Sequence, residues 1–180
     1  MSADRDRLLR VLACIGLAIG GVFGLAGTFA PSAGLRGLAW GIDGLALVMA
    51  AALLTIVFYR RDEPIVASGF LVFTVGEGLI LSGAAQDLIA SVPSFGAGAG
   101  LWALALLMIS IPSVFSLPVR ILGGLAGILF ATTAAQIFAG VQLTPLASPL
   151  PFYAYPVFVA TMAGWIWALV HSDDPLSSDG

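Results

Sequence analysis

Residues 37–86 read GLAWGIDGLALVMAAALLTIVFYRRDEPIVASGFLVFTVGEGLILSGAAQ. Two apolar runs, 37–59 and 64–86, flank the motif YRRDEP at 59–64, which packs four consecutive charges and Pro64 into one tight turn. About 20 helical residues, rising 1.5 Å each, cross the roughly 30 Å of a bilayer's hydrocarbon core. Each run is long enough to do so, and a turn this short forces the two helices antiparallel. The stretch therefore reads as a membrane hairpin.

Working outward, four more runs of the same kind appear, at 8–30, 97–116, 118–141 and 151–171. The breaks between them, APSAGLRG, SVPSFGAGAG, SLP and TPLASPLP, are rich in proline, glycine and serine, the residues that interrupt helices. Pro112 and Pro156 fall inside the fourth and sixth runs and are candidate kinks. The composition agrees with the pattern. Of 180 residues, 59% are hydrophobic and 9% charged, and the mean hydropathy is +1.05. Soluble domains average about 45–50% apolar and about 25% charged. A water-soluble body of this size has too much surface to hide so much hydrocarbon. The expected fold is an all-α membrane protein: one compact bundle of six transmembrane helices forming a single domain over 1–180, with a polar, frayed tail at 172–180.

The basic residues set an orientation. All seven are arginine. With a cytoplasmic N-terminus, Arg5, Arg7, Arg10, Arg60, Arg61 and Arg120 fall on the inner side and only Arg36 on the outer side. Such a bias is the positive-inside signature. Both termini are then cytoplasmic, and a bacterial inner membrane is the expected location. Trp40, Trp102, Tyr153 and Tyr155 fall near the outer boundary, and Tyr59, Trp165 and Trp167 near the inner one, where interfacial anchors belong.

An offset of 57 residues overlays the third run on the fifth, matching Phe73 with Phe130, Ile80 with Ile137 and Phe95 with Phe152 among six identities in the 23 positions from 73 to 95. The expected unit is a repeated two-helix hairpin, related by an axis along the membrane normal. Glu77 falls opposite Ala134, so the hairpin plan does not itself require the acid. Small residues recur at every fourth position: Gly16, Gly20, Gly24 and Thr28 in the first run, and Gly123, Gly127, Ala131, Ala135 and Ala139 in the fifth. Such faces let helix backbones approach closely in lipid, within one bundle or against a second copy or another membrane subunit.

Two acids lie inside the spans, Asp43 in WGIDGLAL and Glu77 in VGEGLIL. Each costs about 2.5–3.5 kcal/mol at a span centre on insertion scales. Counting from the outer boundary at 1.5 Å per residue puts Asp43 roughly 8–10 Å deep and Glu77 roughly 12–14 Å deep, close enough to share a cavity. Gln136 lies at a similar level, and Arg36 precedes Asp43 by seven residues on the same face. Gly76 and Gly78 flank Glu77, and Gly41 and Gly44 lie beside Asp43, leaving room for a helix, water or a ligand. Glu77, Asp43, Gln136 and Arg36 are therefore the candidate site for a small solute, cation or proton.

Other chemistries lack their residues. With no lysine there is no Schiff-base cofactor. Cys14 is the single cysteine and His171 the single histidine, too few for a thiolate cluster, a paired haem ligation or a metalloprotease motif. The acidic balance, with a net charge of -3, offers no patch for nucleic acid. No enzyme activity, cofactor or metal is expected. The expected function is a small transporter or channel with an outward-facing polar pocket. The alternative is a non-catalytic subunit that assembles or stabilises a larger membrane complex. The expected partners are the lipid bilayer, the solute or cation, and a second copy or complex partner against the small-residue faces.

Overall fold

The computed structural model describes residues 2–83 and 87–171; the tail 172–180 lies outside the described residues. The chain is all-helical: α1 (Ser2–Thr28), α2 (Ala33–Arg60), α3 (Pro64–Gly83), α4 (Val92–Ser110), α5 (Leu117–Phe138) and α6 (Ala154–His171). All six are long and apolar enough to cross a membrane. Each packs on its neighbours in sequence, and α6 closes back onto α1, giving a ring of alternating up and down helices. One end of the ring, here the terminal face, carries the start of α1, the end of α6, and the turns at 61–63 and 111–116. The other, the loop face, carries 29–32, 87–91 and 139–153.

Local chemistry explains where the helices stop. The α2 terminus closes as a Schellman turn: the Glu63 N–H donates to the Phe58 carbonyl at 3.0 Å and the Asp62 N–H to that of Tyr59 at 3.3 Å. Asp62 takes the left-handed conformation at φ 58°, which aspartate tolerates better than most residues. The end of α5 uses the same device with Gly140 at φ 92°. Pro93 starts α4 five residues earlier than the sequence reading, because a first-turn proline gives up no helical hydrogen bond. Pro112 lies past the end of α4 and Pro156 in the first turn of α6, so neither kinks a helix interior. Arg120 then ties α5 to α4, donating to the carbonyls of Ser110 at 2.8 Å and Ile111 at 2.7 Å. A charged donor on exposed terminal carbonyls is favourable both as a hydrogen bond and against the helix dipole.

The bundle is apolar on both its faces. Large hydrophobics are exposed on every helix, including Val22, Leu45, Leu71, Leu104, Ile128 and Val170. A continuous apolar exterior of this kind is what a lipid-facing surface requires. Small residues sit at the seams: Gly16 faces Ala46 and Ala50 of α2, Gly69 faces Ala105 and Ile109 of α4, and Gly127 faces Ala103 and Leu106 of α4. The fifth-helix stripe is used over only half its length, since Ala131, Ala135 and Ala139 are exposed.

Aromatic rings fill the centre. Towards the terminal face, Phe58 stacks on Phe70 at 5.4 Å, and Phe115 and Trp165 pack edge-on or tilted against them. The next layer is Phe73, Trp102, Phe130 and Phe158, with ring centres 5.0–6.1 Å apart. Phe158 meets Trp165 at 6.2 Å and joins the layers. Trp102 and Trp165 are therefore core residues and not interfacial anchors. With α4 starting at Val92, Trp102 lies ten residues in, about 15 Å along the axis. Trp165 is at anchor depth but on the inward side of α6. Tyr59, Tyr153 and Trp167 are exposed as anchors should be.

Candidate functional site

Above the second aromatic layer the ring is unfilled. The pocket there has a volume of about 90 Å³, several times the 10–15 Å³ that one water needs. Its rim includes the partly exposed Leu88, Pro145 and Phe152 from the loop face. Asp43 of α2, Glu77 of α3, Tyr155 of α6 and Trp102 of α4 line its interior. It is thus closed below by aromatic rings and approached from the loop face.

Glu77 is 2% exposed and Asp43 6%. Their helices pack side by side, and the carboxylates are close enough for their charges to interact. The Glu77 Oε1 atom lies 3.2 Å from where a Gly44 side chain would begin, one residue along α2 from Asp43. The missing Cβ of Gly44 makes room for Leu81 first and, less tightly, for Glu77. The other flanking glycines serve differently. Gly76 lets α4 approach, against Leu101 and the Gly98 carbonyl, while Gly41 and Gly78 face open space.

The two acids are satisfied unequally. The Tyr155 hydroxyl donates to Asp43, spanning its oxygens at 3.2 and 3.3 Å. That is long beside the usual O–H···O distance of about 2.7–2.8 Å. Glu77 receives no hydrogen bond from any described residue, and its Oε2 is buried. The Trp102 indole Nε1–H interacts with it, short of a well-formed hydrogen bond. A buried carboxylate and a buried N–H, both unpaired in one pocket, are each costly by about 1–3 kcal/mol or more.

The other two candidates stand apart. Gln136 is exposed on α5. It lies two residues past the buried Ala134, about 200° around the helix, so depth placed it correctly and helix face did not. Arg36 turns towards the 29–32 loop, donating to the Ala30 carbonyl at 3.4 Å with its guanidinium over Trp40 at 6.0 Å. Trp40 occupies the lining between it and Asp43, and no basic side chain lines the pocket. The sequence reading missed Tyr155 and Trp102 as site residues. The available signal was the aromatic content at pocket depth, which is indistinguishable from anchoring until each helix face is known. Asp87 caps a turn instead, accepting from the Ile89 and Ala90 N–H groups at 2.9 Å each. His171 is exposed at the terminal face, stacked on Trp167.

Gly24 holds the pocket's α1 wall. A methyl group there would overlap the Tyr155 hydroxyl and come within 2.8 Å of Asp43 Oδ2. Gly24→Ala is therefore expected to push Tyr155 off Asp43 and lower stability by about 1–3 kcal/mol. Thermal unfolding in detergent checks this, with Tyr155→Ala as the second arm of a double-mutant cycle. If the strain is at this contact, Gly24→Ala is nearly neutral in the Tyr155→Ala background.

Compared with family models, curated proteins and solved structures, the chain matches none of them.

Proposed function

We propose that this chain is a small multi-pass membrane transporter, not an enzyme, whose solute site is the pocket around Glu77 and Asp43. The observation that carries the reading is the Glu77 carboxylate: 2% exposed, beside a second acid, and hydrogen-bonded by no described residue. An unpaired buried charge is costly, and a proton or cationic guest entering the pocket supplies the missing partner. The aromatic layers beneath the pocket favour a carrier over a standing pore, because a pore needs a continuous wet path. They also fit a state open to one side, as alternating access requires. The competing reading, a scaffold subunit, calls for Glu77 sealed dry between helices; the pocket beside it, rimmed by partly exposed loop-face residues, favours the transporter. The exposed Ala131, Ala135 and Ala139 leave a face for a second copy or a membrane partner.

The proposed orientation puts both termini in the cytoplasm of a bacterial inner membrane, with the pocket facing out. Arg5, Arg7, Arg10, Arg60, Arg61 and Arg120 all belong to the terminal face, and Arg36 alone to the loop face. A C-terminal green fluorescent protein fusion is expected to fluoresce and a C-terminal alkaline phosphatase fusion to be inactive; the reverse pattern would invert the assignment. The 57-residue repeat fits the same plan. Phe73 and Phe130 both pack on Trp102 and Phe158, Ile80 and Ile137 both meet α4 glycines, and Phe95 and Phe152 both line the pocket. In this plan the acids are additions to one repeat of a symmetric scaffold.

The function is tested in vesicles reconstituted with the full chain, under imposed gradients of sodium, protons or a small alkylammonium salt. At least one gradient is expected to drive flux above that of protein-free vesicles. The Asp43→Asn/Glu77→Gln double variant should return it to the protein-free level. A double variant that transports like the parent would remove the pocket from the mechanism.

A further inference from the structure

Building on the pocket as a solute site, we propose that its guest is a small organic ammonium ion, held by Glu77, Asp43 and the aromatic walls. The sign of the guest follows from the charges. Two carboxylates and no basic side chain line the cavity, and Arg36 is drawn off to the loop. An anionic guest would be repelled by either acid in its ionised form, and a cation is the guest that both favour.

The walls decide between a bare metal ion and an organic cation. Trp40, Phe95, Trp102, Phe130, Phe152 and Tyr155 all belong to the lining. Aromatic faces attract cations, most strongly where water is excluded, and rings grouped around an alkylated ammonium are a recurrent recognition device. Besides the two carboxylates, the side-chain oxygens of the lining are the hydroxyls of Thr28, Ser91 and Tyr155, spread over α1, the 87–91 loop and α6. Among the described residues no group of three or more His, Cys, Asp or Glu comes together. A hard cation such as calcium takes about 6–8 oxygens. An alkylammonium needs none of these, since its methyl or methylene groups match an apolar wall while its charge meets the carboxylates.

The volume sets the size of the guest. A pocket of about 90 Å³ limits it to a few heavy atoms beyond the charged centre.

The test is a titration of the purified full chain with choline, with dimethylbutanol as its uncharged carbon isostere, and with sodium at constant ionic strength. Binding is followed by tryptophan fluorescence, which reports Trp40 and Trp102 in the wall, and by calorimetry. Choline is expected to saturate and to bind about tenfold or more tightly than either comparator, and Glu77→Gln to weaken it by about tenfold or more. Phe152→Leu, at the half-exposed rim and outside the packed core, is expected to weaken choline about two- to fivefold and leave sodium unaffected. Dimethylbutanol binding as tightly as choline overturns the charge requirement, and with it the proposal. Sodium saturating in a Glu77-dependent manner while choline is silent removes the ammonium and leaves the solute site standing. Silence by both methods with all three probes, together with no flux in vesicles, removes both.

Discussion

Glu77→Gln is expected to reduce cation-dependent binding and flux by about 10- to 100-fold while leaving the helical bundle at least as stable as the parent. The two halves of that result have one cause. A hydrogen bond to a charged group contributes about 1.5–3 kcal/mol, which is about 10- to 100-fold in affinity when the partner is a guest. Without a guest, the charge has no hydrogen-bonding partner among the described residues, so removing it relieves a burden on the fold. Glutamine keeps the shape and volume, and its amide can donate to Asp43 or accept from Trp102. A clamp between helices behaves in the opposite way, with stability falling and binding unaffected. Thermal unfolding in detergent, read beside the binding isotherm, separates the two. The same substitution at Asp43 should have a smaller effect on binding, because Tyr155 already donates to that carboxylate.

Phe158→Ala is expected to lower stability by about 3–5 kcal/mol, the range of large aromatic truncations in packed cores, and to make reconstituted vesicles leak the small cations that the parent retains. The ring of Phe158 meets those of Phe73, Trp102, Phe130, Tyr155 and Trp165, and so joins the two central layers directly beneath the lining residues Trp102, Phe130 and Tyr155. Removing it opens a cavity between that lining and the layer of Phe70 and Trp165. Phe158→Leu, which refills most of the volume, should restore most of the seal. Unchanged retention in a folded Phe158→Ala bundle would mean that the barrier lies elsewhere.

The fold was legible because membrane helices announce themselves by length and composition. YRRDEP and SLP fixed two antiparallel turns, and every predicted span overlaps a helix. Boundaries slipped at prolines: Pro93, read as part of a break, opens α4, and Pro112, read as interior to the fourth span, follows it. The site was half legible. Asp43 and Glu77 were found because a carboxylate in an apolar run has few explanations, and depth along two adjacent antiparallel helices put them at one level. Gln136 was misassigned because depth says nothing about direction around a helix. Low sequence amphipathicity is the underlying reason: helices wrapped in lipid and packed on an apolar core carry hydrophobic residues all round, so no polar stripe marks the outside. Tyr155 and Trp102 were hidden for the same reason, since an aromatic residue at that depth serves an anchor, a core and a binding wall equally well. The small-residue stripe of α1 was read correctly as a packing face, yet its member Gly24 makes room for the hydroxyl of Tyr155.

The most direct test of the central claim is one-sided water access to the Glu77 position. In a Cys14→Ser parent, Glu77→Cys is exposed to a membrane-impermeant thiol reagent from each side of oriented vesicles. Labelling from the loop face alone is the predicted result. Labelling from neither side, or equally from both, would contradict a blind pocket with a buried acid at its base.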